Sequence, residues 1–169
     1  MSLAMTILAA LLLGTPALLG SMTNPFDPRT IFFAHHAQHV VLIHFPIALF
    51  LTGVAFDLAS RCLKQPTLRA VASWNLVAAA LSTFPVIVTG LLAWQWALEG
   101  ERLKGILLLH LVFGLISSLL LWIVGYIHLR TLRNPAVALP QIRIPLELLA
   151  VAVIGLTGHL GGFLSGVNV

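Results

Sequence analysis

Apolar positions in this chain run in long blocks with no 3.6-residue or two-residue alternation to divide an inner from an outer face. Helices buried all round by lipid and by one another have that pattern. Four blocks, each near the ~20 residues that cross a hydrocarbon core, predict helices over about Ile31–Ser60, Leu68–Leu98, Gly105–Leu129 and Pro145–Gly166. We name them A to D. Pro145 suits a first helical turn, and Glu147 just inside it suits the positive end of the dipole. Pro46 and Pro85 fall inside A and B, where a missing N–H should kink the helix. A fifth apolar run, Leu3–Gly20, precedes a polar, turn-rich stretch with Pro25, Asp27, Pro28 and Arg29. The organisation read from the chain is therefore a signal peptide or anchor helix over 1–22, a linker over 23–30, and a four-transmembrane-helix domain over 31–169. The fold class is all-α, an integral membrane four-helix up-and-down bundle.

Composition changes the picture only by closing the alternative of a soluble domain. Hydrophobic residues make up 59% and charged residues 8% of the 169 positions, too little charge to cover a water-facing surface. The formal net charge of +4 is spread over short loops and reads as topology information, so nucleic acid is not an expected partner. Arg61, Lys64 and Arg69 flank the A–B loop, and Arg130, Arg133 and Arg143 flank the C–D loop. On the other side, Arg29, Arg102 and Lys104 are offset by Asp27, Glu99 and Glu101. The positive-inside rule then puts the A–B and C–D loops in the cytoplasm of a bacterial inner membrane and the C-terminus in the periplasm. The single cysteine, Cys62, excludes an internal disulfide, a covalently attached c-type haem and a thiolate metal site.

Seven histidines in so apolar a chain are the remaining chemistry, because a polar ring inside a membrane helix is costly. Counting at ~1.5 Å per residue from the basic loop residues, His44 lies about 25 Å up helix A and His39 about 33 Å. The same count puts His110 about 30 Å up helix C and His159 about 24 Å up helix D. Within about one turn, ~5 Å, these four form one layer in the outer leaflet. Neutral imidazoles converging in a bundle are what haem iron takes as axial ligands. His44 with His110 is the first candidate pair, and His159 with His39 or His44 the second. Gly155 and Gly162 beside His159, Gly114 beside His110 and Ala48 beside His44 leave room for a flat macrocycle or for close helix packing, as does the pair Gly158 and Gly162. His35, His36 and His128 lie near the ends of their helices and are set aside. Asp57 has Arg61 one turn on, a sufficient local partner. Trp94 and Trp96 read as an interfacial belt. No phosphate-binding glycine loop, HExxH or serine elbow is present, so neither a hydrolase nor a kinase is indicated.

The run His39-Val-Val-Leu-Ile-His44-Phe45-Pro46-Ile47-Ala48 resembles the opening signature of a bacterial four-helix membrane family of unknown function. Phe56-Asp57, Thr89-Gly90-Leu91-Leu92, His110 and Thr157-Gly158-His159-Leu160-Gly161-Gly162 are similar to that family as well, so that the resemblance covers about Ala34–Val169. Some relatives are fused to Rieske-type iron–sulfur domains, which implies a redox setting. The chain departs from relatives at Ala93, where an acid is common, and at Ser165, where many have histidine. The expectation is a membrane electron-transfer protein binding haem b, a subunit of a larger redox complex more than an independent enzyme. Its partners would be the bilayer, quinone, and a periplasmic cytochrome, an iron–sulfur protein or other membrane subunits. The alternatives are a cofactor-free membrane anchor or scaffold and a histidine copper site.

Overall fold

A computed structural model of the chain describes residues 35–98, 100, 102–134 and 136–165. The signal peptide or anchor helix over 1–22 and the linker over 23–30 lie outside them. All regular structure among the described residues is helical: α1 (His35–Leu42), α2 (His44–Cys62), α3 (Pro66–Leu92), α4 (Gly105–Arg133) and α5 (Arg143–Leu164). Among the described residues, four spans are long and apolar enough to cross a membrane: Ala37–Cys62, Pro66–Gln95, Gly105–Arg133 and Arg143–Leu164. These are helices A to D; the expected start of A at Ile31 and end of D at Gly166 lie outside the described residues, and the other bounds agree with the sequence expectation to within a few residues.

The proline at position 46 divides the first span. It has no N–H to give Leu42, and the helix breaks at Ile43, whose own amide still reaches His39 O at 3.0 Å. Pro85 sits inside α3, which continues through it as helix; that proline takes one donor out of the ladder without ending it. At its far end α3 loosens into one π-helical turn, Ala93–Ala97, closed by Leu98 N to Ala93 O at 3.2 Å. The link from α2 to α3 is tight because Lys64 takes a left-handed conformation (φ 53°) and Gln65 N returns to Ser60 O at 3.1 Å. This is a Schellman-type stop, and Pro66 then opens the next helix.

Contacts divide the chain into two units, and the divisions at His44/Phe45 and Thr83/Phe84 fall beside the two prolines. In the described part of the first unit, residues 35–44, 84–98, 100 and 102, α1 packs on the π-helical turn. The described part of the second unit, residues 45–83, 103–134 and 136–165, holds a buried apolar core. There Phe50 and Val54 of α2, Leu76 and Ala79 of α3, Leu120, Leu121 and Val124 of α4, and Ala150 and Ile154 of α5 are packed together and buried. Small residues let these backbones approach. A Cβ on Gly53 would come within 2.7 Å of Leu76 Cγ, and one on Gly125 within 2.7 Å of Ala80 Cβ and 3.3 Å of Leu76 O. A Cβ on Gly155 or Gly158, by contrast, would meet nothing within 4 Å. Close packing in the second unit therefore uses Gly53 and Gly125, and Gly158 takes no part in it.

Candidate functional site

The second unit carries a chain of buried polar groups at the end where the loops 63–65 and 134–142 leave the helices. Asp57, His128 and Glu147 are fully buried and Arg143 is 4% exposed. The Arg143 guanidinium donates Nε to Asp57 Oδ2 (3.1 Å) and Nη2 to Oδ1 (3.3 Å), and Nη1 to Pro140 O (3.3 Å). One turn further along α5, Glu147 Oε1 meets His128 Nε2 at 3.1 Å, and His128 Nδ1 meets Ser73 Oγ at 2.9 Å. Ser73 gives its own hydrogen to Arg69 O at 3.0 Å. With that hydrogen spent, His128 Nδ1 donates to Oγ, and Nε2 and Glu147 Oε1 hold one further proton between them. Glu147 Oε2 is buried and has no hydrogen-bond partner among the described residues. Four helices are thus tied by polar side chains where apolar packing alone would leave register loose.

Two sequence expectations change here. Asp57 pairs with Arg143, 86 positions away, and not with Arg61, which turns outward to Gln141 Oε1 at 3.3 Å. Glu147 does more than complement a helix dipole, since it is the buried partner of His128, a residue set aside because it lies near a helix end. Part of the signal is in the sequence: Asp57, His128 and Glu147 interrupt apolar runs just inside the basic residues Arg61, Arg130 and Arg143, although which of them meet is not.

The candidate ligand histidines divide into two kinds. His39 Nδ1 lies 3.0 Å from Val86 O and 3.5 Å from Thr89 Oγ1, within the first unit. His110 Nδ1 lies 3.1 Å from Thr157 O, within the second. Each imidazole rests over a glycine one turn beyond the carbonyl it contacts. A Cβ on Gly90 would fall 2.9 Å from His39 Cε1, and one on Gly161 would fall 3.1 Å from His110 Cε1. The two contacts are the same in sequence terms. Each spans 47 positions, and His110, Thr157 and Gly161 each follow His39, Val86 and Gly90 by 71 residues. A carbonyl only accepts, so Nδ1 carries the proton in both rings, and a neutral ring then has its lone pair on Nε2.

His44 and His159 are exposed. The Nδ1 of His44 bonds Val40 O one turn back on the same chain at 2.7 Å. His159 lies edge-on to Phe163 at 4.9 Å between ring centroids. Among the described residues, no three His, Cys, Asp or Glu side chains gather closely enough to hold a metal ion by themselves. Trp122 is committed to α3, its indole N–H reaching Thr83 Oγ1 at 2.7 Å and Ala80 O at 3.2 Å.

Neither the curated proteins nor the solved structures yield a match to the chain. A family model described as "Predicted membrane protein (DUF2231)" matches residues 35–167, a stretch that contains all four spans, both histidine–glycine seats and the buried polar chain. The chain is a member of that family of membrane proteins, whose function is not established.

Proposed function

We propose that this protein is a membrane electron-transfer subunit that carries b-type haem on bundle histidines, with His39 and His110 as the first ligands and His44 and His159 as further candidates. One observation carries the reading: His39 and His110 each give Nδ1 to a backbone carbonyl of another helix over a glycine. That arrangement fixes the tautomer whose Nε2 lone pair points away from the carbonyl, the one a metal-binding imidazole uses, and orients the ring. Haem suits this donor set better than a bare copper ion. A porphyrin supplies four iron ligands of its own and asks for one or two imidazoles, whereas a protein-only site needs three or four side chains together. When bound, the haem would supply one-electron chemistry. The protein's part is ligation, orientation and a pocket of low polarity that tunes the potential.

The proposed setting is a bacterial inner membrane with the basic loop end in the cytoplasm and the C-terminus in the periplasm. The redox partners would be quinol and a periplasmic cytochrome or iron–sulfur protein. A cofactor-free anchor or scaffold subunit is the second reading, because an imidazole bonded to a carbonyl across two helices also stabilises a bundle with no cofactor.

Absorbance spectra of the purified, detergent-solubilised protein, oxidised and dithionite-reduced, with a pyridine haemochrome assay, separate the two. A sharp reduced α-band and bound haem b, with the haem content lowered in His39→Ala or in His110→Ala, is the expected result. Colourless protein from cells supplied with ample haem would overturn the cytochrome reading and leave the anchor in its place.

A further inference from the structure

A partly open cavity of about 350 Å³ lies at the basic loop end of the second unit, lined by Arg61, Arg69, Ala138, Leu139, Gln141 and Arg143. Its charge is unbalanced. Three guanidinium groups line it, and the acid bonded to any of them among the described residues is Asp57, which neutralises one. The other buried acid at this end, Glu147, is engaged with His128.

Donor capacity is left over as well. A guanidinium has five N–H groups, and Arg143 commits three of them, two to Asp57 and one to Pro140 O. Asp57 and Pro140 thereby hold a buried arginine in one orientation with donors to spare. Arg61 spends one N–H on Gln141 Oε1 at 3.3 Å, a neutral acceptor that an anion readily displaces. The planar fork of Arg143, held by Asp57 and Pro140, and the exposed guanidinium groups of Arg61 and Arg69 beside it suit the oxygens of a phosphate, and Ala138 and Leu139 give the cavity an apolar side.

We infer that this cavity is a binding site for a phosphate-bearing anion, and that the phosphate is that of an anionic membrane lipid headgroup. The position favours the lipid as the source. The cavity opens where all four spans end at the basic loops, the level at which headgroups lie. Arg61, Lys64, Arg69, Arg130, Arg133 and Arg143, six of the nine lysines and arginines, belong to this end. Basic pockets at the ends of transmembrane helices select anionic headgroups over zwitterionic ones by this combination of surface charge and fixed donors.

The site is independent of any haem and is tested without it. Delipidated protein in detergent is titrated with phosphatidylglycerol, with phosphatidylcholine and, separately, with inorganic phosphate, following the midpoint of thermal unfolding. Phosphatidylglycerol should raise the midpoint and phosphatidylcholine should not. Arg61→Gln with Arg69→Gln should weaken the response about fivefold for each arginine removed. Arg61→Lys with Arg69→Lys, which keeps charge and loses the fork, should fall between. Arg130→Gln with Arg133→Gln removes as much charge from the same end outside the cavity and should leave most of the response. A rise with inorganic phosphate equal to that with the lipid keeps the site and makes soluble phosphate its occupant. If phosphatidylglycerol acts equally on the wild type and the Arg61/Arg69 variants, or if the Arg130/Arg133 pair loses as much, the cavity is not the site.

Discussion

Asp57 and Arg143 form a buried ion pair across 86 positions of sequence, with the carboxylate accepting from both Nε and Nη2 of the guanidinium. Neither has another ionic partner among the described residues, and each is more than nine-tenths buried. Removing one partner leaves an uncompensated charge in a medium that solvates it poorly, which costs about 3 to 5 kcal/mol. Asp57→Asn is therefore expected to lower the thermal midpoint in detergent sharply, while Asp57→Leu with Arg143→Met, which removes both charges, loses much less. Arg61→Gln, which touches only the exposed Gln141 contact, should stay within about 0.5 kcal/mol of the wild type in the absence of added lipid. A large loss for Arg61→Gln and a small one for Asp57→Asn would return Asp57 to its neighbour one turn on.

That pair also marks where the sequence ceases to be legible. The four spans are readable because lipid demands apolar length, and the break before Pro46 follows from a missing N–H. The partner of Asp57 is not readable, because helical periodicity reports only neighbours within a turn or two, and Arg61 satisfies that local rule. His128 escapes notice for the same reason: a polar residue near a helix end has water as its default partner. Only the packing of α4 on α5 and α3 turns it inward. For the candidate ligand histidines, residue counting gives a position along each helix and no partner. Which rings cross to another helix is decided by Gly90 and Gly161, glycines whose role a sequence pattern does not distinguish from that of Gly155 or Gly158.

Glu147, His128 and Ser73 should behave as one unit. Each single truncation strands a buried polar atom on its partner, so the losses are not additive. A double-mutant cycle between Glu147→Ala and His128→Ala is expected to show a coupling of about 0.5 to 3 kcal/mol. Ser73→Ala, which removes one neutral hydroxyl bonded to His128 Nδ1, should cost about 1 kcal/mol. Additive losses at Glu147 and His128 would mean that the 3.1 Å contact between them contributes nothing to folding.

Glycine substitutions separate packing from open space. At Gly125 a methyl group would meet Ala80 Cβ at 2.7 Å with the Leu76 carbonyl 3.3 Å away, and a backbone atom has little room to give. Gly125→Ala should destabilise by about 1 to 3 kcal/mol. Gly158→Ala meets nothing within 4 Å and should be neutral or slightly stabilising, since alanine suits a helix interior better than glycine. Thermal unfolding of the two variants side by side is the measurement, and equal effects would contradict the close approach of α4 to α3.

Gly90→Ala and Gly161→Ala probe the two histidine seats without touching a histidine. Each added methyl enters the space of an imidazole, 2.9 Å from His39 Cε1 in one case and 3.1 Å from His110 Cε1 in the other. The ring has to rotate or withdraw, and its bond to Val86 O or Thr157 O lengthens or breaks. If the two rings ligate iron, both variants should lose haem or show a shifted, broadened reduced α-band, with Gly90→Ala the more severe because its clash is closer. The control is Gly155→Ala, on the same helix as Gly161 with nothing within 4 Å, which should keep the wild-type spectrum. The anchor reading predicts a different outcome: thermal stability falls in Gly90→Ala and Gly161→Ala, and no chromophore is present to lose. A haem spectrum unchanged in both variants, with stability lowered, would remove His39 and His110 as ligands and leave the exposed His44 and His159 to be tested in their place.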